Sequence, residues 1–202
     1  MTARFVLFDL GNVLLEWEPA RLYRKLMSDP AQADWFCHNI CTLEWHTEHD
    51  RGVPLAENAR RLIDRHPEYK DLILSWNTGW LDMFHGYVEG VPDILEALLR
   101  RPAPVYALTN FPGEKWDETV AAFPLLKTFR DVVVSSTENM VKPDPRIFKL
   151  TLERMGSPDP ADVFFIDDRE DNTQAAAALG FRTHRFTHAD ALRRALRSES
   201  LL

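Results

Sequence analysis

Residues with chemistry to offer stand directly after short apolar runs in this chain. Asp9 follows Phe5-Val6-Leu7-Phe8 and is followed two residues later by Gly11. Thr109-Asn110 closes the run that starts at Val105, Lys142-Pro143 comes shortly after Val132-Val133-Val134, and Asp167-Asp168 ends Val163-Phe164-Phe165-Ile166, with Asp171-Asn172 close behind. Runs of this kind read as strands buried on both faces of a parallel sheet, and such a sheet delivers the residues after its strands to one edge, where open α/β folds bind ligands. A carboxylate, a hydroxyl, a cation and an acidic cluster then converge on one crevice. Asp9, Asp167 and Asp168 repel one another there unless a cation joins them, and hard oxygen donors favour Mg²⁺, which shares its shell with water and phosphate. The chemistry that follows is phosphoryl transfer. Asp9 attacks phosphorus to give an aspartyl phosphate that water hydrolyses, while the metal, Lys142 and Thr109 stabilise charge on the equatorial oxygens. Asn110, beside Thr109, is a candidate substrate contact. Taken singly, a strand-end threonine, a lysine or a helix-capping acidic pair is ordinary. All four in one order are not.

Strands alternating with helices must position these residues. After the strand at Phe5, amphipathic spacing predicts helices over Pro19 to Met27, Pro30 to Ile40, Leu43 to Asp50, Pro54 to Arg65 and Pro67 to Phe84, with no alternating strand among them;. The pattern then resumes with a helix from Val91 to Arg101, a strand from Val105 to Thr109, a helix from Lys115 to Phe123 and a strand from Val132 to Ser135. A helix from Asp144 to Met155, a strand from Val163 to Asp167, a helix through Ala175 to Leu179 closed by Gly180, a strand from Arg182 to Phe186 and a last helix from Ala189 complete it;. This order predicts an α/β fold, a Rossmann-like parallel five-stranded core sheet flanked by helices, with an inserted all-helical cap domain. The expected core is 1–15 and 88–202, and the expected cap is 16–87.

The totals narrow the partners. A net charge of −7 argues against nucleic acid, and Arg193, Arg194 and Arg197 read as the solvated face of the last helix;. No window resembles a membrane span, and Arg4 to Asp9 is too short for a signal peptide, so a cytoplasmic monomer or homodimer is expected. Cys37 and Cys41 lack partner ligands nearby and read as buried thiols;.

In the residues quoted, the chain resembles the haloacid dehalogenase-like hydrolases. Asp9 matches their nucleophile, Thr109 their strand-end hydroxyl, Lys142-Pro143 their lysine and Asp167-Asp168 their acidic pair, and the helical block matches the cap many members carry between the first two motifs, as in their subfamily I. The resemblance implies a Mg²⁺-dependent phosphatase of a small phosphorylated metabolite, for example a sugar phosphate. Metal ligands would be Asp9, Asp167, Asp168 and the backbone carbonyl of Gly11; of the pair, Asp168 is the preferred direct ligand. One position departs from the pattern. Phosphatases of this family usually carry a second Asp two residues after the nucleophile, as general acid and then base, and here that residue is Gly11. The variant resembles a bacterial subgroup that includes a glucose-1-phosphate phosphatase. The site then favours substrates whose leaving group departs easily, or takes a proton from elsewhere; the natural second source is the cap stretch of Trp45, His46, His49 and Asp50, with His46 or His49 as acid and Trp45 and His46 as substrate contacts. Trp35, Trp76, Trp80 and Phe84 are expected to pack the cap.

Two other readings compete. A 2-haloacid dehalogenase displaces halide, which needs no proton, but it works without metal, and the acidic pair argues against it. A non-catalytic member would only bind a phosphorylated ligand or a protein.

Overall fold

Phe5–Phe8 has no polar face, so it can sit only in the middle of a sheet covered on both sides. In the computed structural model of the protein, which describes residues 3–202, this strand (β1) is central. Next come β2 (Leu15–Trp17) and five helices, α1 (Pro19–Leu26), α2 (Pro30–Asn39), α3 (Leu43–Asp50), α4 (Leu55–Ile63) and α5 (Lys70–Thr78). The remaining elements are β3 (Phe84–Tyr87), α6 (Val91–Leu99), β4 (Val105–Thr109), α7 (Trp116–Ala122), β5 (Val132–Val134), α8 (Ser135–Glu138), α9 (Pro145–Arg154), β6 (Val163–Asp167), α10 (Glu170–Ala178), β7 (Arg182–Arg185) and α11 (Ala189–Ser198). Met1 and Thr2, the start of the expected core, lie outside the described residues.

The main sheet has the order β5-β4-β1-β6-β7, and each neighbouring pair is parallel. Alternate side chains leave opposite faces. Val6 and Phe8 enter one apolar core while Leu7 enters the other with Leu108, Phe148 and Phe165. Register then sets the site. Phe8 pairs with Ala107 on one side and Ile166 on the other, so the next residue of β1's chain, Asp9, stands level with Asp167 and one step short of Thr109. The ladder continues through the Asp9 amide, which donates to the Ile166 carbonyl at 2.8 Å.

The helical insertion leaves the core between two strands that the sequence pattern does not reveal. β2 and β3 pair antiparallel, with an irregularity at Glu16/Trp17 and with Gly86 at φ 134°, a conformation that side chains resist;. Phe84-His85-Gly86-Tyr87 has too few alternating apolar residues to announce a strand. The single helix expected from Pro67 to Phe84 is accordingly broken. A 3₁₀ turn at Pro67–Tyr69 precedes α5, and a second at Trp80–Met83 follows it. Gly79 marks that second break, where a Cβ would clash with Leu22 Cδ1. No helix among the described residues is long and apolar enough to cross a membrane.

Candidate active site

Lys142 holds the sheet edge together. Its Nζ lies 2.8 Å from Asp9 Oδ1 and 2.7 Å from Asp167 Oδ2, and donates to the Leu108 carbonyl at 3.0 Å. Burial disfavours the ammonium, but Asp167 and Asp9 more than offset this and hold its pKa above the ordinary lysine value;. Burial pushes the Asp9 carboxyl up to about 7, against the pull of Lys142 and with the push of Asp167. Asp9 Oδ1 also accepts from the Leu10 amide at 2.7 Å. Among the described residues nothing hydrogen-bonds to its Oδ2, so one oxygen of Asp9 is fixed and the other is unengaged.

The acidic pair divides its labour. Asp167 is fully buried and saturated by Lys142, the Arg169 amide (2.9 Å) and Asn172 Nδ2 (3.0 and 3.1 Å). Asp168 lines the cleft, and among the described residues no other residue hydrogen-bonds to its carboxylate; burial and Asp167 raise its pKa. Oxygens of Asp9, Asp167 and Asp168 lie within 4.8 Å of one another, an all-oxygen set suited to a hard divalent cation;. Asp9 and Asp168 have donor capacity to spare for it, and Asp167, wholly engaged by protein donors, acts through Lys142 and Asn172.

The loops place three more of the expected residues. Asn110, expected to touch substrate, lines the cleft, while its side-chain amide braces the backbone of Lys142, donating to its carbonyl at 3.0 Å and accepting from its amide at 2.8 Å. Loop backbone at a sheet edge has no ladder partner, and this side chain supplies one. Gly11 lines the cleft, but the left-handed residue of the turn is Asn12 (φ 54°), and a Cβ on Gly11 would meet nothing within 4 Å. Glycine is therefore not required there by turn geometry. Thr109 is buried at the cleft, with only a 3.5 Å contact from its hydroxyl to the Asn110 carbonyl.

The helical insertion closes the other side of a cleft of about 260 Å³. His46 lines it and packs on Trp17 and Trp80, with ring centroids 5.0 and 5.9 Å away. Trp45 does not. Its indole turns into the insertion, donates to the Asn58 carbonyl at 3.3 Å and stacks edge-on against Trp76, because α3 puts His46 and Asp50 on the cleft face and Trp45 and His49 behind;. Neither histidine suits the role of standing acid. Burial holds His46 well below the ordinary imidazole range and His49 at about 4, so both are neutral near pH 7. Trp80 and Phe84, expected only to pack, also face the cleft, together with Trp17 and Phe111, giving it an aromatic wall. Asp50, named in the sequence only as a member of this stretch, also lines the cleft. Its i, i+4 spacing from His46 is the signal that puts both on one face. Cys37 and Cys41 are free thiols that burial raises to about 12, far from any reactive range;.

Known proteins agree with this frame. Residues 3–180 match the family model described as haloacid dehalogenase-like hydrolase. A HAD family enzyme from Bacteroides thetaiotaomicron superposes with a TM-score of 0.74 at 23% identity, over 98% of this chain and 100% of that one. The same enzyme in complex with magnesium and inorganic phosphate gives 0.69 at 24% identity, over 92% and 95% of the two chains. L-2-haloacid dehalogenase from Xanthobacter autotrophicus, with chloropropionic acid covalently bound, gives 0.63 at 18% identity, over 99% and 84%. In sequence, flavin mononucleotide hydrolase 1 of Arabidopsis thaliana is 28% identical over 113 residues, 54% of this chain and 43% of that protein. The chain spans less than half the length of the curated relatives it matches.

Proposed function

Because this chain belongs to the haloacid dehalogenase-like hydrolases, we propose that it is a Mg²⁺-dependent phosphatase of a small phosphomonoester, working through an aspartyl phosphate on Asp9. The observation that carries this reading is the charge of the site. Oxygens of Asp9, Asp167 and Asp168 lie within 4.8 Å of one another, and among the described residues Lys142 is the one cation that ion-pairs with them, an excess of two negative charges when all are ionised that one divalent ion neutralises;. Displacement of halide has no use for that excess. Asp9, Asp168 and the Gly11 carbonyl would hold the ion, which supplies charge neutralisation at phosphate oxygens. Lys142 fixes Asp9 Oδ1 and leaves Oδ2 to attack, and Thr109 donates to a phosphate oxygen. Residues 16–87 act as the cap over a core of 1–15 and 88–202, and the aromatic wall with a volume of about 260 Å³ suits a compact, ring-bearing substrate such as a sugar phosphate;.

The test is p-nitrophenol release from p-nitrophenyl phosphate with Mg²⁺ and with chelator, by wild type and Asp9→Asn. Metal-dependent turnover lost in the variant supports the reading. No turnover, together with halide release from 2-chloropropionate, replaces it with dehalogenation.

A further inference from the structure

We infer that Asp50 gives the departing alcohol its proton and then takes one from the attacking water, the work for which Gly11 has no side chain. This rests on the phosphatase reading above.

Position comes first. Asp50 lines the same cleft as Asp9 and Lys142, yet it reaches there from the insertion rather than from the sheet edge. In-line displacement puts the leaving oxygen across phosphorus from the nucleophile, so its acid must share the cleft with Asp9 without touching it. Asp50 makes no hydrogen bond to Asp9, and Asp9 is still near enough to disfavour its ionisation. Asp50 is 5% exposed, and among the described residues its Oδ1 has no hydrogen-bond partner; His46 Nε2 stands 3.5 Å away, beyond a good bond. A buried carboxyl left unpartnered beside an active cleft calls for an occupant, and the leaving-group oxygen is one.

Its surroundings keep it protonated. Burial is the main cause, and Asp9 adds to it against Lys142 and Arg51. Asp50 is also the last residue of α3, where the negative end of the helix dipole disfavours another negative charge;. His46 and His49, on the same helix, are neutral and offer no counter-charge.

The backbone is anchored to the core. Ser135 Oγ donates to the Asp50 carbonyl at 2.7 Å and accepts from the Phe111 amide at 2.9 Å, tying this residue to the loop that carries Thr109. In the first step the bond from Asp9 Oδ2 to phosphorus forms as the ester P–O bond breaks, and the leaving oxygen takes the Asp50 proton. In the second, water attacks phosphorus, its proton passes to the Asp50 carboxylate, and Asp9 leaves as carboxylate. Ester and water become alcohol and phosphate, with both aspartates restored.

The experiment compares kcat/KM across phosphate monoesters from p-nitrophenyl to n-alkyl, with Mg²⁺, for wild type, Asp50→Asn and Asp50→Glu. Asp50→Asn is expected to lose about 10²-fold or more on alkyl esters and under about threefold on p-nitrophenyl phosphate, the range of one general acid. It should also lose the alkaline limb of the alkyl-ester pH profile and release a burst of p-nitrophenol, one per site, because hydrolysis of the aspartyl phosphate has lost its base. Asp50→Glu should recover part of the alkyl activity. Equal loss on every ester, or none, overturns the inference and leaves the phosphatase reading standing. So does a steep dependence of wild-type kcat/KM on leaving-group pKa, which requires no variant to fold. A wild type inert toward every ester overturns both.

Discussion

Replacing Lys142 by Met tests the electrostatic account of the site most directly. The methionine fills much the same volume, while Asp9 and Asp167 lose a cation at 2.8 and 2.7 Å. Removing one partner of a buried ion pair typically costs about 3–5 kcal/mol, because the other charge stays buried without compensation. For a chain of this length that corresponds to a fall in Tm of roughly 6–20 °C. The loss depends on pH with a definite sign. Asp9 titrates at about 7 in the folded protein against 3.8 as its ordinary value, so at pH 5.5 it is mostly protonated and draws little on the ammonium of Lys142. At pH 8 Asp9 is mostly ionised and needs the ammonium too. Without Lys142 its pKa rises further, so the folded variant binds more protons than folded wild type and loses stability relative to it as pH rises. The assay is urea unfolding followed by tryptophan fluorescence at pH 5.5 and pH 8, with and without millimolar Mg²⁺. The cation should stabilise the variant more than the wild type at pH 8. A loss under about 1 kcal/mol at pH 8, or one equal at both pH values, would refute the reasoning.

Three further outcomes follow from the same geometry. Gly11→Asp adds a carboxyl where a Cβ meets nothing within 4 Å, so combined with Asp50→Asn it should restore alkyl-ester kcat/KM by at least about tenfold; no recovery would mean that proton transfer is not what Asp50 contributes;. Ser135→Ala leaves the Phe111 amide and the Asp50 carbonyl without partners and should destabilise by about 1–3 kcal/mol while slowing alkyl more than aryl esters, read by thermal unfolding and kcat/KM;. His49 is buried, its two ring nitrogens lack partners and its pKa is about 4 against an ordinary 6.5, so the unfolded chain binds its proton first and stability is lost as pH falls from 6.5 toward 4;. By pH 5 the wild type should lose about 2 kcal/mol more than His49→Gln, measured from pH 7, and equal losses would place the imidazole in water.

Much of the site was legible because its signals are local. An apolar run followed by a polar residue needs no knowledge of the rest of the chain, and four such runs in a βα order place Asp9, Thr109, Lys142 and Asp167-Asp168 at one edge. What stayed hidden depended on contacts distant in sequence. β3 escaped notice because Phe84–Tyr87 becomes a strand only by pairing with Leu15–Trp17, nearly seventy residues earlier. Asn110 sits next to Thr109 at the sheet edge and looked like a substrate contact. Its amide also braces the Lys142 backbone across 32 residues. On α3, spacing alone left open which of Trp45, His46, His49 and Asp50 faces the cleft, and the packing of Trp45 on Trp76 and His49 decided it.

The sequence by itself determined which groups this protein has to work with and that a sheet edge collects them, because burial of apolar runs is dictated residue by residue. It also determined that the usual acid is missing, since Gly11 has no side chain in any fold. Tertiary structure alone decided the protonation states and the division of roles. Burial is a property of the assembled molecule, and it makes His46 and His49 neutral, raises Asp50, and lets Lys142 saturate one oxygen of Asp9 while leaving the other free.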